Sequence, residues 1–205
     1  MKLALPSGRL FEGVEGYLAR HGIDLYRKSD RDYSPGCNVT GVKVRIRKVR
    51  DVPQPTALGI FDAGFTGHDV LVESGYADRV VEVADLGCNP VRLMVAAHET
   101  WHDIVVNPPS RPVVIVSEFP NLASQWAYRN GLSHVMIPTT GKTEGWVPED
   151  ADICFDVVET GETMEANGLV VLDEILTSTT RLVVNREVLE RDDVREFLHQ
   201  LEVRP

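Results

Sequence analysis

Short apolar runs alternate with helix-spaced apolar positions along most of this chain, which is the pattern of strands and helices taken in turn. Residues 2–5 predict a strand. The Pro6-Ser7-Gly8 turn follows, and Leu10, Val14, Tyr17 and Leu18 then share one face of a helix that Gly22 stops. Residues 42–49 alternate apolar with basic side chains, as a half-exposed strand does. Residues 59–67 predict a strand that ends in a turn of small residues, with a helix beginning over 69–73. Further strands are expected over 80–83, 91–97, 113–116, 169–172 and 181–184, and a helix over 120–128. The proline-rich stretch 107–112 can continue neither a helix nor a central strand and is read as a surface loop. A closing helix over 187–202 would turn Leu189, Val194, Phe197, Leu198 and Leu201 inward.

One strand leads somewhere chemically pointed. Ile153, Phe155, Val157 and Val158 make a short buried strand, and Glu159-Thr160-Gly161-Glu162-Thr163 then places a glycine and two hydroxyls where a helix would begin. The first backbone N–H groups of a helix have no partner within it and carry the positive end of its dipole, so such a turn suits a phosphate. Gly161 allows both the tight bend and a close approach of ligand to backbone.

Charge sharpens this picture. No lysine or arginine occurs between Lys142 and Arg181, while Glu144, Glu149, Asp150, Asp152, Asp156, Glu159, Glu162, Glu165, Asp173 and Glu174 all fall there. A phosphate at this turn would be held by main-chain amides and hydroxyls, by a metal, or by cations from elsewhere. The first fifty residues supply cations, among them Arg9, Arg27, Arg45, Arg47 and Arg50.

At 205 residues, with 43% hydrophobic and 25% charged side chains, the chain has the composition of a folded globular protein. A net charge of −10 argues against nonspecific nucleic-acid binding, which draws on phosphate neutralisation. The opening apolar run is too short for a signal peptide, and no stretch approaches the roughly 20 apolar residues that span a bilayer, so a cytoplasmic protein without membrane contact is expected. Cys37, Cys88 and Cys154 are far apart and lack CxxC spacing, which indicates neither a disulfide framework nor a cysteine metal site.

Two motifs compete for attention. His98-Glu-Thr-Trp-His102 matches HExxH, which in a zinc hydrolase needs both histidines on one helical face. A preceding strand-like run and the β-branched, proline-ended continuation favour a loop that carries two histidines. Gly141-Lys142-Thr143 resembles the end of a Walker A loop, but Met136 stands where its first glycine belongs. Neither a GxSxG elbow nor a GxGxxG fingerprint is present.

Several segments, in order, resemble the short-form ATP phosphoribosyltransferases of histidine biosynthesis. MKLALPSGRLFE is similar to that family's opening strand and helix; VRDVP and GIFDAGFTGHDVL, EFPNLA, ADICFDVVETGETMEANGL and TSTTRLVVNRE resemble later segments, the fourth being the phosphoribosyl-diphosphate loop. The resemblance implies transfer of the 5-phosphoribosyl group from phosphoribosyl diphosphate to N1 of ATP, with release of pyrophosphate. Glu159, Thr160, Gly161, Glu162 and Thr163 would cradle the 5-phosphate, and Asp152 and Asp156 would act near the ribose. Arg9, Arg50, Thr66, Gly67, Asp69 and Glu144 would serve ATP or the diphosphate. Mg²⁺ would be chelated mainly by substrate phosphates, with no metal site built from side chains.

The implied fold is α/β, two-lobed and periplasmic-binding-protein-like (type II), with the active site in the interlobe cleft. Lobe I would comprise residues 1–90 completed by 173–205, and lobe II residues 91–172 with the phosphoribosyl loop. A homodimer and a histidyl-tRNA-synthetase-like regulatory subunit are the implied partners, with neither nucleic acid nor membrane involved. The family has lysine where this chain has Ser7, a basic residue where it has Val114, and often lysine where it has Glu118. A paralogue with another nucleobase or azole acceptor is therefore an alternative, as are a noncatalytic ligand-binding module of the same fold and, more remotely, an HExxH zinc hydrolase.

Overall fold

The computed structural model describes residues 1–158, 164 and 166–203. The chain divides into two compact units, one formed by Met1–Pro90 with Thr179–Pro205 and the other by Val91–Ser178.

In the first unit, β1 (Lys2–Pro6) is flanked by two parallel partners, β4 (Lys43–Arg47) and β5 (Ala63–Gly67). The sheet is completed by β12 (Thr180–Asn185), antiparallel to both β5 and β6 (Val80–Asp85), in the order β4-β1-β5-β12-β6. The short pair β2 (Leu25–Tyr26) and β3 (Gly36–Cys37) forms a separate ribbon. Helices follow the strands: α1 (Arg9–Arg20) after β1, α2 (Pro53–Ala57) after β4, α3 (His68–Ser74) after β5, and α5 (Asp192–Gln200) after β12. Leu3 and Leu5 of β1, Val14 and Leu18 of α1, Phe65 of β5, Leu182 and Val184 of β12, and Phe197 and Leu198 of α5 join in one buried core. Each such side chain contributes about 1.5–3 kcal/mol when fully removed from water.

The closing helix is shorter than the apolar spacing predicts. Asn185 accepts a hydrogen bond from the Glu187 amide and starts a 3-10 turn over Arg186–Val188, so regular helix begins only at Asp192. Asp192 and Asp193 then sit in the first turn, where the helix dipole favours acids. Residues 59–62 form a turn before β5 rather than part of the strand. The proline-containing α2 has no apolar periodicity long enough to reveal it in advance.

The second unit holds a sheet in the order β11-β7-β10-β8-β9. Strands β8 (Val113–Ser117), β9 (His134–Pro138) and β10 (Ile153–Val158) run parallel, while β7 (Val91–His98) is antiparallel to β10 and to the bulged β11 (Leu169–Ser178). Helix α4 (Pro120–Arg129) follows β8. Met94, Ala96, Val116, Cys154, Val158 and Leu169 pack with Val147 and Ala151 as the core of one face. Buried Ser117 donates to the Phe155 carbonyl (2.7 Å) and accepts from the Phe119 amide (2.7 Å), which ties the end of β8 to β10 and starts the chain into α4. Among the described residues, no helix is long and apolar enough to cross a membrane.

Candidate active site

In open α/β sheets, ligands bind beyond the carboxyl ends of parallel strands, where helices begin and the chain reverses. The two units can each be read on that rule.

In the first unit, β1 ends at Pro6 and the chain turns through Ser7 and Gly8 into α1. Ser7 is fixed by its amide, which donates to the Arg47 carbonyl at the end of β4 (2.6 Å). Gly8 has a φ of 77°, a region glycine enters without steric cost, and it gives α1 no side-chain cap. Arg9 is the first residue of α1 and is exposed. Beyond the end of β4, exposed Arg50 lies in the 3-10 turn Val49–Asp51. Buried Thr66 near the end of β5 donates to the Val49 carbonyl (3.4 Å), Gly67 precedes α3, and Asp69 sits in the first turn of α3 with 7% of its surface exposed. Arg9, Arg50, Thr66, Gly67 and Asp69 thus all occupy the carboxyl end of β1, β4 and β5.

In the second unit, β10 separates two aspartates that look equivalent in sequence. Asp156 lies toward its carboxyl end, half-buried. Thr143 donates to Asp156 Oδ2 (2.6 Å) and the Val157 amide to Oδ1 (2.7 Å). Burial pushes the Asp156 carboxyl above the usual carboxylate range; the two hydrogen bonds oppose this, while the charges of Glu118 and Glu144 add to it. Glu118 directly follows β8, and Glu144 lies in the 3-10 turn Thr143–Trp146 after β9, so carboxylates gather at the ends of all three parallel strands. Exposed Lys142 immediately precedes Thr143, at a φ of 56°.

Asp152 has a different setting. It immediately precedes the amino end of β10, 4% exposed, and forms a bidentate pair with Arg111 (2.6 and 2.8 Å). It also accepts from the Val114 amide (2.9 Å). Burial alone would raise its pKa, but the Arg111 guanidinium and the Val114 N–H outweigh that and hold it below the usual range. A carboxylate so committed, about 13 Å of extended strand from Asp156, anchors the loop before β8 to β10. Val114 is explained by the same geometry: its side chain packs against the apolar core and its amide serves Asp152.

The turn residues Glu159, Thr160, Gly161, Glu162 and Thr163 lie outside the described residues. What is described is the strand that leads into them.

The HExxH segment does not have zinc-hydrolase geometry. His98 ends β7, Glu99–Trp101 is a 3-10 turn, and the two imidazoles make separate local contacts, His98 Nδ1 with Thr100 Oγ1 (2.9 Å) and His102 Nδ1 with the Glu99 carbonyl (3.0 Å). A strand followed by a short turn cannot place both rings on one face of an α-helix.

Sequence reasoning missed Arg111 and Thr143. Nothing marks Arg111 as a partner of a residue 41 positions away. Thr143 carried a signal that was assigned to its neighbour: the Gly-Lys-Thr triplet drew attention to the lysine, whereas the threonine hydroxyl holds Asp156.

Two α/β units whose parallel strands end in polar and charged side chains define a type II periplasmic-binding-protein-like fold. A solved ATP phosphoribosyl transferase (HisG:HisZ) complex from Thermotoga maritima shares it, with a TM-score of 0.84 and 29% identity, over 98% of this chain and 96% of that one. The ATP phosphoribosyltransferase (HisG) family profile matches residues 48–203. Proteins named ATP phosphoribosyltransferase are 32% identical in Methanocaldococcus jannaschii, over 97% of this chain and 69% of that protein, and 35% identical in Halorhodospira halophila, over 93% and 87%. The chain belongs to the ATP phosphoribosyltransferase family. It is a glycosyltransferase of histidine biosynthesis, of the type that moves the 5-phosphoribosyl group from phosphoribosyl diphosphate to N1 of ATP in the first step of that pathway.

Proposed function

We propose that this transfer is carried out with Asp156 as the carboxylate at the ribose and residues 159–163 as the cradle of the 5-phosphate. The observation that carries the reading is the setting of Asp156, which is held by Thr143, pushed up by burial and faced by Glu118 and Glu144 at the strand end that runs into those residues. As the bond from C1′ to the diphosphate oxygen breaks, positive charge develops on the ribose, and a carboxylate poorly compensated in the free protein gains most from a cation that exists only in the transition state. N1 of ATP supplies the incoming electron pair and pyrophosphate leaves with the pair it shared with C1′. The rest of the rate comes from holding two polyanions in line.

Arg9 and Arg50, with Thr66, Gly67 and Asp69, are assigned to the phosphates of the diphosphate or ATP, and Glu144 to the acceptor side. Asp152 is withdrawn from the catalytic set and given the anchoring role its Arg111 pair describes. Mg²⁺ is assigned to the substrate, since Mg²⁺ commonly binds through phosphates with one or two carboxylates. We further infer a homodimer working in the cytoplasm with a histidyl-tRNA-synthetase-like regulatory subunit. The similar Thermotoga chain was solved in a HisG:HisZ complex, and this chain spans 96% of it.

The deciding experiment mixes the protein, with and without such a subunit, with Mg²⁺, ATP and phosphoribosyl diphosphate. Pyrophosphate should be released, with a product of the mass of ATP plus one phosphoribosyl group. Release with another nucleobase or azole, and none with ATP, would overturn the acceptor assignment and direct attention to Glu118.

A further inference from the structure

We infer that Asn89 is a positioning residue for the phosphate-binding end of α1, acting through Arg9. This rests on the assignment of Arg9 to substrate phosphates made above. Asn89 Nδ2 donates to the Arg9 carbonyl (3.2 Å), and Asn89 Oδ1 accepts from Thr180 Oγ1 (3.1 Å). One side chain therefore joins the first turn of α1 to the first residue of β12, segments far apart in sequence.

The surroundings hold Asn89 in place for this task. Its φ is 55°, a left-handed conformation that asparagine tolerates better than most residues. The Thr180 amide donates to the Cys88 carbonyl (3.0 Å) and the Leu86 amide to the Thr180 carbonyl (2.9 Å), so residues 86–89 are bound to the start of β12 on both sides. On the helix, Gly13 faces Asn89: a Cβ there would lie 2.8 Å from Asn89 Oδ1 and 2.9 Å from Cys88 Sγ. Glycine within a helix costs about 1 kcal/mol relative to alanine, and its use at this position is explained by the close approach.

Gly8 gives α1 no side-chain cap, and the Phe11 amide closes the first turn on the Gly8 carbonyl (3.0 Å). A hydrogen bond to the Arg9 carbonyl ties down the first turn, and with it the direction in which the Arg9 side chain presents itself. Asn89 need not touch substrate to matter; it sets the residue that does.

The test uses Asn89→Gly, which keeps the left-handed backbone and removes only the two hydrogen bonds. Of the two phosphate groups assigned to Arg9, the diphosphate and ATP, the test takes the diphosphate, so pyrophosphate is the probe, titrated calorimetrically with Mg²⁺ present, alongside steady-state kinetics. Asn89→Gly is expected to weaken pyrophosphate binding and raise KM for phosphoribosyl diphosphate by about 5-fold, the equivalent of about one hydrogen bond, with kcat changed less than about 2-fold. Gly13→Ala, which crowds Asn89, should show the same split. Arg9→Ala should weaken pyrophosphate by more than about 10-fold, and adding Asn89→Gly to it should cost nothing further. Unchanged pyrophosphate affinity and KM in Asn89→Gly, or an effect that adds in full to that of Arg9→Ala, would overturn the inference. Unchanged affinity in Arg9→Ala would instead sink the assignment of Arg9 on which it stands.

Discussion

Asp152, just before β10, and Asp156, within it, belong to one acidic stretch, yet the two ends of β10 treat them in opposite ways. At the amino end Asp152 meets a guanidinium and a main-chain amide, and its carboxyl is held down. At the carboxyl end Asp156 meets a hydroxyl, its neighbour's amide and further carboxylates, and burial pushes it up. Sequence distance is thus a poor guide to role: four positions along a strand move a side chain from the structural end of a parallel sheet to its ligand-binding end. Charge is matched at one end and left poorly compensated at the other.

The largest effect expected is on turnover in Asp156→Asn. Removing a carboxylate that stabilises developing charge costs about 10²–10³-fold in kcat, and the pyrophosphate-release assay should show a loss of that order. The melting temperature should fall by no more than about 3 °C, roughly 1 kcal/mol for a chain of this size, because the lost charge was costly where it stood. A large loss of stability with turnover retained would reverse the roles of the two aspartates. Asp152→Asn should do the opposite. It should lower stability by about 2 kcal/mol through loss of charge-assisted hydrogen bonds, read as a lower urea midpoint, while kcat stays within about 3-fold, well under the 10²-fold expected for a ribose-side carboxylate. A drop in kcat like that of Asp156→Asn, in a protein that melts normally, would return Asp152 to the catalytic set.

Acidification separates the pair again, with a smaller signal. Asp152 has a lowered pKa in the folded state, so its contribution is fully present above the unfolded value near about 3.9 and is lost as pH falls through the folded value. The stability gap between wild type and Asp152→Asn should therefore close in acid. Asp156 is raised, so whatever it contributes is present below about 3.9 and is lost as pH rises through its folded pKa. Any advantage of Asp156→Asn should grow over that rise. Parallel curves for wild type and both variants would mean that neither carboxyl is perturbed as described.

Most of the strand and helix order was legible because it is written locally, in apolar spacing and turn residues. Val14 and Leu18, and likewise Phe197 and Leu198, read as one face of a helix from periodicity alone, and all four are buried together. Residues 134–138 gave no such signal: β9 is an edge strand whose side chains remain partly or largely exposed. The candidate site was legible where one short segment holds it, as at Thr66-Gly67 or Asp156. It was illegible where it depends on partners brought together by the fold. The pairing of Asp152 with Arg111, and of Asp156 with Thr143, is tertiary information, and without it the two aspartates could only be treated alike.

Cys154, between them on β10, offers the smallest but most local test. It is fully buried, and burial, with the charges of Asp156 and Glu144 adding to it, pushes its thiol up to about 12. Thiolate is the reactive form, so in the native protein at pH 8 Cys154 should resist iodoacetamide while the part-exposed Cys37 and Cys88 label first, which peptide mass mapping would resolve. Asp156→Asn removes one of the charges that raise Cys154, and labelling of that cysteine alone should then quicken slightly at high pH, without any change at Cys37 or Cys88. Asp152→Asn should leave Cys154 labelling as it was, because the charge it removes is already matched by Arg111. Equal acceleration in both variants would mean that the strand had loosened as a whole, and that the electrostatic contrast between its two ends does not reach the residue lying between them.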